Sequence, residues 1–282
     1  VSPNAEFVSE DVDAVDLYLN TGANNNPQFT LTSNAFLQED MIDVGEGAYP
    51  VFFDVDKDGL IDLLVGNRKR IKNGIENASI NYFKNTGSAS NPAFSLISDD
   101  FFELSTKNIG AAFFPSFMDL NGDNAEDLII GNLDGNIYFI INQASPGQEV
   151  DFSGVPVLLQ DNLDVPIDVG QMAKPQAVDL NEDNLIDLVI GQRGGFLYYY
   201  ENTGSAALAD FTLITESLGN VKAPGFLLNT GNSSPFFYKV DDQWILLLGS
   251  ETGKLDYYNQ ISNNLDGEFN EIPGPASGIV EG

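Results

Sequence analysis

Three copies of one acidic block dominate this sequence. Residues 52–67 read Phe52-Phe53-Asp54-Val55-Asp56-Lys57-Asp58-Gly59-Leu60-Ile61-Asp62-Leu63-Leu64-Val65-Gly66-Asn67, and the block returns at 117–132 and 177–192. Its first aspartates, Asp54, Asp119 and Asp179, are spaced by 65 and 60 residues. Self-similarity at such a period marks stacked repeats of one supersecondary unit. A fourth copy, at 238–250, keeps the apolar run but has only Asp241-Asp242-Gln243 where the others carry the loop.

Each block is followed by an aromatic, β-prone segment: 80–87, 137–140, 197–204 and 255–258. Further strand patterns lie at 92–97 and 211–214. The apolar runs 63–65, 128–130 and 188–190 read as strands buried on both faces. With no long amphipathic helical pattern, four short strands per period predict an all-β chain, a β-propeller of four-stranded blades. The Tyr and Phe residues of the third strands are expected to pack between sheets.

The order of strand types sets the expected organisation: 1–40 as the second half of a blade, then 41–103, 104–163 and 164–220 as blades with an acidic loop. Residues 221–272 form a degenerate blade without one, and 273–282 a connector. About four and a half blades are therefore expected, as part of a larger propeller.

The loops follow Asp-x-Asp-x-Asp-Gly-x-x-Asp, in which oxygens at positions 1, 3, 5 and 9 and a carbonyl at position 7 are able to converge on one cation. The candidate ligands are Asp54, Asp56, Asp58, the Leu60 carbonyl and Asp62 in the first loop. In the second they are Asp119, Asn121, Asp123, the Ala125 carbonyl and Asp127, and in the third Asp179, Asn181, Asp183, the Leu185 carbonyl and Asp187. Two carboxylates about 4 to 5 Å apart repel by roughly 4 kcal/mol at an effective dielectric near 20. A counter-ion is therefore expected in each. Calcium takes 6 to 8 oxygen ligands, whereas magnesium keeps several waters in a strict octahedron, so three Ca2+ sites are predicted. Position 6 holds Gly59, Asn124 and Asn184, residues suited to a left-handed turn. An EF-hand is excluded because position 12 is Val65, Ile130 or Ile190 rather than Glu.

Composition narrows the chemistry. The chain has 12 Lys and Arg against 42 Asp and Glu, a formal charge of -30, which opposes binding to nucleic acid. With neither Cys nor His, thiol nucleophiles, His-based triads and the usual zinc sites are excluded. No apolar run is long enough to span a membrane, and no leader pattern is present. The segment 68–74 concentrates Arg68, Lys69, Arg70 and Lys72, a candidate partner loop for an acidic surface.

The three loops with their trailing Asp-Leu-x-x-Gly, and the Asn-Thr-Gly turns at 20–22, 85–87 and 202–204, resemble the FG-GAP and VCBS-type repeat family. The resemblance implies an extracellular β-propeller with calcium held between the first and second strands of a blade. The outer strands look like those of bacterial exported surface proteins, some of them type IX secretion cargo. It implies an exported or cell-surface, non-catalytic module for adhesion, assembly or ligand display, with a protein or glycan partner. The alternative is a propeller-fold polysaccharide lyase or hydrolase; no catalytic residue stands out for it.

Overall fold

The structure is a computed structural model, and it describes residues 17–23, 25–33, 42–72 and 74–272. The expected connector at 273–282, the ends of the 1–40 segment and the side chain of Lys72 lie outside the described residues.

Strands β1 (Leu17–Asn20) and β2 (Phe29–Ser33) pair antiparallel as a sheet of their own. The first full blade is β3 (Tyr49–Phe53), β4 (Asp62–Gly66), β7 (Ile80–Asn85) and β8 (Phe94–Ser98), with a hairpin of β5 (Arg70–Lys72) and β6 (Ile75–Asn77) rising between its second and third strands. The second blade comprises β9 (Phe114–Met118), β10 (Asp127–Gly131), β11 (Ile137–Ile140) and β12 (Val157–Leu158). The third comprises β13 (Lys174–Val178), β14 (Asp187–Gly191), β15 (Leu197–Asn202) and β16 (Phe211–Thr215). The fourth is β17 (Ser234–Val240), β18 (Gln243–Gly249), β19 (Leu255–Asn259) and β20 (Asn270–Glu271). All four are antiparallel meanders, arranged as a four-bladed β-propeller.

The unbroken apolar runs follow from this arrangement. Side chains of a strand alternate between faces, and each face of a second strand belongs to a different inter-blade core. Leu128 and Ile130 pack with Leu64 and Ile80 of the first blade, while Ile129 packs with Leu188 and Ile190 of the third. Val189 turns the other way, toward Leu246 and Leu248 of the fourth. The aromatics are mostly in these cores: Tyr82, Tyr199, Tyr200 and Tyr258 are buried.

A joint that reads as turn punctuation in the sequence fixes the spacing of the blades. Every innermost strand begins with a residue followed by proline: Tyr49-Pro50, Phe114-Pro115, Lys174-Pro175 and Ser234-Pro235. Proline is tolerated because these are edge strands, with one side free of ladder bonds. In the first three blades the glycine closing the second strand lies against the next blade's innermost strand. A Cβ on Gly66 would stand 2.1 Å from the Phe113 carbonyl oxygen and 2.7 Å from Pro115 Cδ. Gly131 meets Ala173 and Pro175 in the same way, and Gly191 meets Ser233 and Pro235. At Gly249 the nearest atoms are instead Ser234 and Leu255 of its own blade, at 3.4 Å and beyond. The junction of the fourth blade with the first thus lacks this joint, and Phe52 and Phe236 are exposed at 63% and 55%.

Candidate metal centres

The acidic loops 54–61, 119–126 and 179–186 connect the first and second strands of their blades, so all three project from one face of the propeller. Each winds around its first aspartate. The position-6 N–H donates to the position-1 carboxylate: Gly59 to Asp54 Oδ2 at 3.0 Å, Asn124 to Asp119 Oδ2 at 2.8 Å, Asn184 to Asp179 Oδ2 at 3.0 Å. The position-7 N–H donates to the position-5 carboxylate, Leu60 to Asp58, Ala125 to Asp123 and Leu185 to Asp183, at 2.8 to 2.9 Å. Left-handed φ values of 89°, 64° and 70° at Gly59, Asn124 and Asn184 bring these groups inward, as expected of Gly and Asn there. Position 4 is left-handed too, at Lys57, Gly122 and Glu182.

The first loop brings Asp54, Asp56 and Asp58 together with one oxygen of each within 4.8 Å of the others. Asp54 Oδ1 is buried and has no hydrogen-bond partner. A buried acceptor without a donor costs about 1 to 3 kcal/mol, more when charged, and a cation would remove that penalty. The donor set, carboxylates with a nearby carbonyl, fits a hard divalent ion. In the other two loops an amide takes position 3. Asn121 Nδ2 donates to Asp123 Oδ2, and Asn181 Nδ2 to Asp183 Oδ2, both at 3.0 Å.

The position-9 aspartates have a second task. Asp62, Asp127 and Asp187 are fully buried at the start of the second strand and stand at the junction of three segments. One oxygen of each accepts the position-2 N–H, from Val55, Leu120 and Leu180, at 2.9 to 3.2 Å. The other accepts the backbone N–H of Asn85, Asn142 or Asn202, at 2.8 to 2.9 Å. Tyr82 and Tyr199 hydroxyls donate to Asp62 and Asp187. Asp62 stands outside the close group formed by Asp54, Asp56 and Asp58, so it would ligate only through lone pairs left over from these bonds. Burial, partly offset by those donors, raises the Asp62 carboxyl and pushes those of Asp127 and Asp187 up to about 6.

The asparagines continue the chain of contacts. The Asn85 side-chain oxygen accepts from Gly87 and Ala93, and Asn202 binds Gly204 and Asp210 in the same way, closing the turn to the fourth strand. The Asn-Thr-Gly signature is thus the outer end of a link that begins at the acidic loop. Asn142 does the same without Thr-Gly, accepting from Ala144 and Asp151. Asn20 repeats the turn in the β1–β2 sheet, binding Gly22 and Gln28.

One residue near each loop escapes a reading of the loop alone. Ile80, Ile137 and Leu197 pair with Gly66, Gly131 and Gly191, so Lys84, Ile141 and Glu201 are equivalent. Lys84 bonds Asp56 and lies 3.1 Å from Asp58 Oδ2. The Leu60 N–H, followed by Lys84, holds the Asp58 carboxyl below the usual carboxylate range. In the third loop Glu201 adds an acid instead, accepting from Asn181 Nδ2 at 3.3 Å. The three centres therefore carry different local charge.

Three basic residues of the segment are paired within the chain. Arg68 and Lys69 pair with Glu46, Lys69 with Glu76 as well, and Arg70 with Asp99 at 3.0 Å. Among the described residues no helix is long and apolar enough to cross a membrane. No protein-family model matches this chain, and no curated protein matches it.

Proposed function

We propose that the three loops bind Ca2+ and that the chain is a non-catalytic, calcium-stabilised propeller module of an exported or cell-surface protein, serving adhesion, assembly or ligand display. The observation that carries the metal reading is the approach of Asp54, Asp56 and Asp58 around a buried, unpartnered Asp54 oxygen. An isolated acidic turn in water would spread these charges apart. Here backbone N–H groups aim them inward.

On this reading each ion draws in the turn between the innermost strand and the next, and the Asp-to-Asn link transmits that order to the outer turn. Millimolar calcium outside cells suits weak loops of this kind and supports the extracellular assignment. The likeness to FG-GAP and VCBS-type repeats points the same way, with a protein or glycan ligand and no nucleic acid, since the charge is -30. Equilibrium dialysis followed by elemental analysis tests the metal reading. Three calcium ions per chain are expected, falling by one in Asp54→Asn; no bound calcium would refute the assignment.

A further inference from the structure

On the face opposite the acidic loops, where the innermost strands begin, the propeller axis opens into a pocket of about 300 Å³ bordered by all four blades. This is the low end of the range for small-molecule sites. Its walls include the four residues that precede the repeated prolines: Tyr49, Phe114, Lys174 and Ser234. They are equivalent, because they pair with Gly66, Gly131, Gly191 and Gly249. Two are aromatic, one is a hydroxyl, and one is a cation. The blade itself does not need a cation here, as the other three copies show.

Lys174 is only 8% exposed, in a chain with 12 basic residues. Its ammonium carries three donors; one reaches the Asn232 carbonyl at 2.8 Å, and the Phe114 ring lies 5.9 Å away. Among the described residues it forms no ion pair within 4.0 Å. Glu251, the acid on the same wall, is already engaged by Phe226 N and Asn232 Nδ2, each at 2.6 Å, and by the Thr230 hydroxyl. Arg68, also on the wall, is paired with Glu46. Burial pushes the Lys174 ammonium down to about 8 despite Glu251. A buried charge of this kind is costly unless something of opposite sign meets it.

We propose that the axial pocket binds a small carboxylate, its charge anchored by Lys174 and its body resting against the aromatic pair Tyr49 and Phe114, whose rings meet edge to face with centroids 5.4 Å apart. A carboxylate supplies acceptors for the two remaining ammonium donors. A body about the size of one ring fits the volume. The inference does not depend on calcium in the loops, which lie at the other end of the strands.

The test is calorimetric titration of the whole chain at neutral pH in saturating calcium, using D-glucuronate and benzoate, with D-glucose and benzyl alcohol as neutral counterparts. Saturable binding of at least one acid is expected, at least about tenfold tighter than its neutral counterpart. Which acid binds distinguishes a sugar acid from an aromatic one. Lys174→Met should weaken binding by at least about tenfold. Ala48→Phe, at the exposed rim, should block entry in a protein whose core is untouched. The proposal is overturned if neither acid saturates, if the neutral compounds bind equally well, or if Ala48→Phe binds like the parent. Metal content from the dialysis experiment reads the calcium assignment separately.

Discussion

The fourth blade does without what the other three share. Its first two strands, β17 and β18, run through seven paired positions and turn on Asp241 and Asp242, both left-handed at φ 48° and 58°. That is the geometry of a tight two-residue hairpin turn. In the first three blades the ladder stops after five pairs, and an eight-residue acidic loop intervenes. Other parts vanish with the loop. The place of the buried position-9 aspartate is taken by Ile245, and that of the asparagine by Gln260. A blade therefore forms without loop, aspartate or asparagine, and the three behave as one device, present or absent together. A longer, charged loop costs closure entropy and repulsion that a hairpin turn avoids. On the proposed reading, a bound ion would offset that cost in the three blades that carry the loop.

The sharpest way to break this comparison is to remove the buried link. Asp127→Ala would strand two buried N–H groups, those of Leu120 and Asn142. Each costs about 1 to 3 kcal/mol, so urea unfolding should show a loss of roughly 2 to 6 kcal/mol. A loss below about 1 kcal/mol would mean that the second blade holds together as the fourth does, without the link.

Acidity offers a milder perturbation. The folded-state pKa values of Asp127 and Asp187 are raised to about 6. The stability they contribute is therefore full below the ordinary carboxylate value and is lost as pH rises through about 6. In chelator, the isolated pair should make the protein more stable near pH 5 than near pH 7, by about 1 kcal/mol per group. Asp127→Asn/Asp187→Asn should flatten that part of the profile in chemical denaturation; an unchanged profile would exclude these carboxyls as its source. In the fourth blade Ile245 stands at this position, and the carboxyl that burial raises there is Asp256, on the third strand.

The smallest effect separates the three loops from one another. On the proposed reading Lys84, paired with Asp56 and Asp58, would compete with a cation in the first loop, whereas Glu201 would assist one in the third. Lys84→Met should tighten the first centre a few-fold and Glu201→Gln should loosen the third by a similar factor, since a partly exposed charge is worth about 0.2 to 1 kcal/mol. Site-resolved NMR titration would read both. Equal affinities in all variants would show that the neighbouring charge is irrelevant.

Much of this molecule was legible in the sequence because repetition supplies its own control. The loops, the all-β blades and the loss of the fourth loop follow from aligning 52–67, 117–132, 177–192 and 238–250. The apolar runs were legible as strands covered on both faces, since a blade has a neighbour on each side. Other features were hidden because they join residues distant in sequence. Lys84 and Glu201 read as ordinary strand residues until strand pairing sets them beside a loop 20 or more positions earlier. Position 9 looks like one more ligand, and only the fold reveals the N–H groups of Asn85, Asn142 and Asn202 arriving at it. The Gly-Pro joint is hidden in the sequence because both residues usually signal turns. The fourth strand of the second blade, Val157–Leu158, is too short to announce itself and follows a long connection in which Phe152 enters the core. The basic segment drew notice by its charge, yet its partners Glu46, Glu76 and Asp99 flank it from elsewhere in the blade.

The decisive measurement is thermal unfolding with and without chelator. For sites with a dissociation constant of about 0.1 mM, calcium at about 1 mM would add roughly 1.4 kcal/mol each, or about 4 kcal/mol for three. The midpoint should rise by several degrees with calcium and fall back on chelation. An identical midpoint in both conditions would contradict the account.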